Sequence, residues 1–195
     1  MSLEPALCGV LIDVASHSEP AMDDQVPAAV LVPLYEGSGG ELRIVLTKRR
    51  ADLRRHAGEI SFPGGRRDPE DATLSETALR EAEEEIGLAR SEVTLVGALE
   101  RTSTFVTNYV IHPFVGLLAH RPEWRASELE VDLVLEPSLR EVGEGRTRTR
   151  IERRGIAFET DAYVFDGEIV WGATARILEG LLERVGPLLD RRAET

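Results

Sequence analysis

The chain has one cysteine, Cys8, among 195 residues. A single thiol excludes an intramolecular disulfide, a CxxC redox pair and a cysteine-based zinc cluster, and it suits a reducing, cytoplasmic setting. No apolar stretch reaches membrane-spanning length, no apolar run follows a basic start, and the C-terminal Ala193-Glu194-Thr195 is no peroxisomal address. Basic charge is scarce too: 23 Lys and Arg stand against 35 Asp and Glu, a net charge of −12. Non-specific binding to a nucleic-acid backbone therefore has no electrostatic footprint. No GxGxxG or P-loop pattern occurs, and no Ser-His-Asp or Cys-His pattern offers a covalent nucleophile. Internal repeats, low-complexity tracts and linkers are missing as well.

What remains reads as one domain, residues 1–195 with a core of about 26–190, since the chain is 42% hydrophobic and rather short for two domains. Leu7 to Val14 reads as a short helix or strand, and His17, without a partner nearby in sequence, as solvent-exposed. Two β-rich runs, Ala28–Tyr35 and Leu42–Thr47, flank a glycine-rich turn and predict a hairpin. Further strands are expected at Val93–Leu99 and at Tyr109–Leu118, where Pro113 suggests an edge or a bulge. Arg146 to Arg154 alternates like one exposed strand face, and Asp166-Gly167 marks a turn between strands. Apolar residues at 177, 178, 181, 182, 185, 188 and 189 predict a core-packing C-terminal helix.

One segment is organised differently. Pro63-Gly64-Gly65 reads as a turn leading into a polar loop, and Thr73-x-x-Glu76 as a capping box opening a helix that Gly87 stops. At about 100° per residue, Glu81, Glu84 and Glu85 share one arc of that helix while Glu83 points away. Like charges at this spacing repel, and a divalent cation between them would remove the penalty. Arg80 stands close enough to orient one carboxylate.

The order Arg80-Glu81-Ala82-Glu83-Glu84-Glu85-Ile86-Gly87-Leu88 behind a Gly-Gly pair resembles the signature box of the Nudix hydrolase superfamily. The loop between Gly65 and Arg80 is one residue longer than in the usual pattern. It carries Asp71 where the pattern has a glutamate, and no direct role is assigned to Asp71. The resemblance implies an α/β (α+β) fold, a mixed sheet sandwiched between helices with a loop-helix-loop catalytic motif. It also implies a pyrophosphohydrolase with Arg80, Glu81, Glu84 and Glu85 as catalytic residues, and Mg²⁺ or Mn²⁺ held by Glu81, Glu84 and Glu85.

Upstream, Leu46, Thr47, Arg49, Arg54, Gly58, Phe62, Pro63, Gly64 and Gly65 match at every spacing an additional motif that resembles the coenzyme A pyrophosphatase branch. The chain departs from it at Val45 and Arg50. Against so acidic a surface, a polyphosphate needs a metal and local arginines, and guanidinium groups bind phosphates bidentately. The resemblance implies Arg49, Arg54, Gly58, Phe62, Gly64 and Gly65 as substrate-binding residues. The implied reaction cleaves coenzyme A or acyl-coenzyme A into 3′,5′-ADP and a 4′-phosphopantetheine. The expected partner is thus a small-molecule nucleotide, with no nucleic acid and no membrane, and the sequence is compatible with a homodimer. Glu130 is a candidate catalytic base outside the box, set against a plain helix-surface glutamate. Two alternatives stay open: hydrolysis of another nucleoside diphosphate derivative such as ADP-ribose, and a nucleotide-binding regulatory module without turnover.

Overall fold

A computed structural model of the chain describes residues 2–17, 25–53, 56–104, 108–153 and 155–193. In chain order its elements are α1 (Leu3–Cys8), α2 (Val14–His17), β1 (Val26–Glu36), β2 (Leu42–Ile44), β3 (Leu46–Arg49), β4 (Ile60–Ser61) and β5 (Gly64–Arg66). Then come α3 (Leu74–Ile86), β6 (Val93–Ala98), β7 (Thr102–Ser103), β8 (Tyr109–Leu118) and β9 (Val131–Leu135). The last are α4 (Leu139–Glu144), β10 (Arg146–Arg153), β11 (Ile156–Phe165), β12 (Glu168–Trp171) and α5 (Gly172–Ala193).

The main sheet is mixed. It runs β2-β1-β8-β6, with β5 also on β1 and β7 on β8; β1 and β8 are parallel and the other pairs antiparallel. Side chains of β1 alternate with the two-residue period of a strand buried on both faces. Ala29, Leu31 and Tyr35 join Leu74, Ala78, Ala82 and Ile86 of α3 in one buried cluster. Val32 and Leu34 join Ile177, Leu178, Leu181 and Val185 of α5 in the other. The sheet is thus sandwiched between α3 and α5, as the sequence predicts. Two small sheets, β4-β3-β9 and β10-β11-β12, complete the fold. Among the described residues no helix is long and apolar enough to cross a membrane.

Several local expectations are corrected. The second hairpin run divides at Val45: β2 pairs with β1, whereas β3 pairs with β4 and β9 in a separate sheet. Pro113 is interior to β8, which lies between β1 and β6. It is tolerated because β6 ends at Ala98, and the Pro113 carbonyl takes Leu99 N–H at 3.0 Å where the strands part. His17 is 8% exposed, its ring edge-on to that of fully buried His112 at 5.8 Å, with its carbonyl 3.1 Å from His112 Nδ1. Glu130 lies in a turn before β9 rather than on a helix. The expected turn at Asp166-Gly167 is present: both residues take positive φ, 50° and 76°, between β11 and β12.

Candidate active site

Gly64 and Gly65 do not make a turn. They are strand β5, in register with Val30 and Ala29 of β1. A Cβ on Gly64 would lie 2.3 Å from the Ala29 carbonyl oxygen, and one on Gly65 would lie 2.4 Å from Glu81 Oε1. Their lack of a side chain lets β5 lie close against β1 at Gly64 and lets the Glu81 side chain of α3 rest over Gly65. Thr73 caps that helix, its Oγ1 accepting from Glu76 N–H at 3.2 Å. The reciprocal arm differs from a capping box, because the Glu76 carboxylate accepts from Ala72 N–H at 2.8 Å. Gly87 closes the helix at φ 69°.

Arg80 is the hub. Its guanidinium donates to Asp71 through Nε and Nη2, at 3.1 and 3.0 Å, to Glu81 at 3.0 Å, to Glu84 at 3.2 Å and to the Arg66 carbonyl at 3.2 Å. Asp71 is buried and also accepts from Thr77 Oγ1 at 2.9 Å and Asp68 N–H at 3.0 Å. These donors, Arg80 first, hold its carboxyl down at about 2. Asp71 therefore orients the arginine that orients the glutamates, a role the sequence reading did not assign. The signal was present: Asp71 stands where the family pattern has another carboxylate.

The three box glutamates differ sharply in environment. The side chain of Glu84 is 59% exposed, that of Glu81 18% and that of Glu85 7%. Burial pushes Glu85 up to about 8 against the opposing charge of Arg49, and Glu81 and Glu130 add to the rise. Burial raises Glu81 as well. Arg49 Nη1 stands 3.7 Å from Glu85 and Nη2 3.4 Å from Glu130. Arg50 fastens the same turn, its N–H donating to the Glu130 carbonyl at 3.0 Å and Nη1 to the Glu128 carbonyl at 2.7 Å.

Arg80 reaches Glu81 and Glu84 while Arg49 faces Glu85, and among the described residues no three such ligands are placed to hold a metal ion as they lie. The convergence expected from helical spacing is in that respect absent. The donor chemistry nevertheless fits a hard dication: every candidate ligand is a carboxylate oxygen. Two of the three also have raised proton affinity, first from burial and then from neighbouring carboxylates.

Beside the helix opens a cleft of about 1440 Å³, lined among others by Arg49, Phe62, Gly64, Gly65, Arg66 and Tyr109. That exceeds the roughly 300–1,000 Å³ of common small-ligand pockets. Arg66 lies over the Tyr109 ring at 4.9 Å and was not singled out from sequence. Of the expected substrate residues, Arg49, Gly64 and Gly65 line the cleft, and Phe62 lines it from a buried position, 2% exposed. Gly58 does not line it; at φ 70° it forms the turn that returns its N–H to the Arg49 carbonyl at 3.2 Å. Arg54 lies outside the described residues.

A layered mixed sheet, a capped acidic helix with an arginine at its hub and a glycine strand beneath it define a Nudix-type hydrolase. Comparison agrees: the NUDIX domain model matches residues 25–144. Proteins from Salmonella paratyphi B and Salmonella newport, both named "Uncharacterized Nudix hydrolase NudL", are 37% identical over 165 residues, 84% of this chain and 84% of each. Among solved structures, a MutT/nudix family protein from Enterococcus faecalis has a TM-score of 0.59 at 15% identity, over 96% of this chain and 70% of that one. RenU, a Nudix hydrolase from M. smegmatis, has a TM-score of 0.53 at 20% identity, over 62% and 74%. Both are likenesses of fold. The chain belongs to the Nudix family and is a Nudix hydrolase, acting on a nucleoside diphosphate derivative. Enzymes of this family use divalent metal ions.

Proposed function

We propose that the chain hydrolyses the pyrophosphate bond of coenzyme A or an acyl-coenzyme A, releasing 3′,5′-ADP and the 4′-phosphopantetheine part. The observation that carries this reading is the meeting of two sequence motifs in one place. Arg49, Gly64 and Gly65 of the upstream motif line a large cleft, and Gly65 lies directly under Glu81 of the box.

In this mechanism Glu81, Glu84 and Glu85 would hold Mg²⁺ or Mn²⁺. The bound metal supplies charge neutralisation on non-bridging phosphate oxygens and a more acidic water. Arg80, pinned by Asp71, keeps Glu81 and Glu84 oriented. Arg49 exchanges its contacts with Glu85 and Glu130 for the substrate's phosphates, and Arg54 acts with it. Exchange of this kind keeps the guanidinium paired before and after binding, so no buried charge is stranded. Glu130, whose backbone carbonyl Arg50 N–H holds at the edge of the site, is the candidate for the base that takes the water's proton.

The test is a panel of coenzyme A, acetyl-coenzyme A, ADP-ribose, a dinucleoside polyphosphate and a nucleoside triphosphate, each with Mg²⁺ or Mn²⁺. The highest kcat/KM is expected for coenzyme A or its acetyl ester. Preference for ADP-ribose would replace the substrate assignment.

A further inference from the structure

The ribbon β10-β11-β12 has two unlike faces. One carries Arg148, 3.6 Å from Glu159, and Arg146, paired with Glu179, and buries Tyr163, Phe165 and Val170 in the same cluster as α5. The other places Phe158 and Thr160 at alternate positions of β11 and Trp171 opposite Ala162, and all three of these polar or aromatic side chains line the cleft. The Phe158 ring is edge-on to Trp171 at 5.9 Å and 61°, and Phe158 remains 37% exposed. Arg176, a little over one helical turn beyond Trp171, lines the cleft as well, and its Nη2 donates to the Ser103 carbonyl at 2.6 Å, which fixes where the guanidinium stands. The cleft is thus lined both by the glycine strand under Glu81 and by two aromatic rings and the Arg176 side chain.

An exposed aromatic ring stacks any nucleobase, and a guanidinium beside it is matched to phosphate. An apolar arm could use the rings but would gain nothing from Arg176; a base carrying a ribose phosphate uses both. We propose that Phe158, Trp171 and Arg176 form the subsite for the purine base and ribose phosphate of the substrate. This rests on the nucleotide-derivative reading of the cleft, and it leaves the other half of the molecule to the rest of the cavity.

The subsite is tested by binding rather than turnover. Adenosine 3′,5′-bisphosphate, AMP and 4′-phosphopantetheine are titrated calorimetrically into the wild type, Phe158→Leu and Arg176→Gln, with folding checked by thermal melting. Phe158→Leu keeps an apolar body while removing the ring. It is expected to weaken both nucleotides about tenfold and to leave 4′-phosphopantetheine unchanged. Arg176→Gln is expected to weaken the bisphosphate about tenfold with AMP less affected. Unchanged nucleotide binding in both folded variants, or selective loss of 4′-phosphopantetheine, overturns the assignment. If the wild type binds the bisphosphate with these sensitivities yet does not cleave coenzyme A, the subsite stands and the coenzyme A reading falls.

Discussion

The Asp71 carboxylate receives Arg80 through both oxygens, Nε to one at 3.1 Å and Nη2 to the other at 3.0 Å. The same guanidinium reaches Glu81 and Glu84. A buried acid therefore sets the position of two box carboxylates without touching them. Asp71→Asn breaks the bidentate ion pair while keeping the shape. A fall in kcat of about 10- to 100-fold with KM little changed is expected, the usual scale for a supporting residue behind a metal ligand. Steady-state kinetics on the best substrate of the panel check it; a wild-type kcat would remove Asp71 from the account.

The two adjacent glycines separate strand packing from site geometry. Gly64→Ala drives a methyl group into the Ala29 carbonyl at 2.3 Å, a backbone atom that cannot move aside. It is expected to cost roughly 1–3 kcal/mol of stability, read as a lowered Tm. Gly65→Ala meets the Glu81 carboxylate instead, a side chain that can swing away. Its loss should appear mainly in kcat, with Tm near that of the wild type. Equal behaviour of the two variants in both measurements would contradict the placement of β5.

Arg49 faces Glu85 and Glu130 at the rim of the cleft. Arg49→Gln is expected to raise KM by roughly 10- to 100-fold, the range for losing a charged hydrogen-bond partner. An unchanged KM would show that the residue serves only as a counter-charge to the carboxylates.

Burial holds His112 down at about 4, with a lesser contribution from Arg101. Between that value and the unfolded 6.5, the unfolded chain binds a proton that the folded chain refuses. Stability is thus fully present above about pH 6.5 and is lost as pH falls toward 4, by up to about 3 kcal/mol from this group. Denaturant melts from pH 7 to pH 4 should show a steeper loss in the wild type than in His112→Asn, whose side chain does not titrate. Parallel curves would contradict it.

Much of this was legible in the sequence, because local pattern carries it. The Thr73 cap, the Gly87 stop, the carboxylate spacing on α3 and the apolar stripe of α5 all depend on neighbours within a turn or two. What was missed depends on contacts far along the chain. His17 looked isolated, yet it packs on His112, 95 residues away. Pro113 read as an edge residue or a bulge because nothing local says that β6 stops beside it. Gly64 and Gly65 read as a turn, although their smallness serves a close approach to β1 and Glu81. The unequal burial of Glu84 and Glu85 was equally invisible, since helical spacing gives direction and not depth. Trp171 and Arg176 stand five residues apart where β12 runs into α5, but Phe158 comes to the cleft from β11, and no short motif joins it to them.

The most direct measurement is product analysis by mass spectrometry of coenzyme A incubated with Mg²⁺ and either the wild type or Glu84→Gln. The wild type is predicted to release 3′,5′-ADP and 4′-phosphopantetheine, and Glu84→Gln, a near-isostere with its fold intact, to do so at least about a hundredfold more slowly. Equal rates for the two proteins, or an intact pyrophosphate bond after incubation with the wild type, would contradict the account.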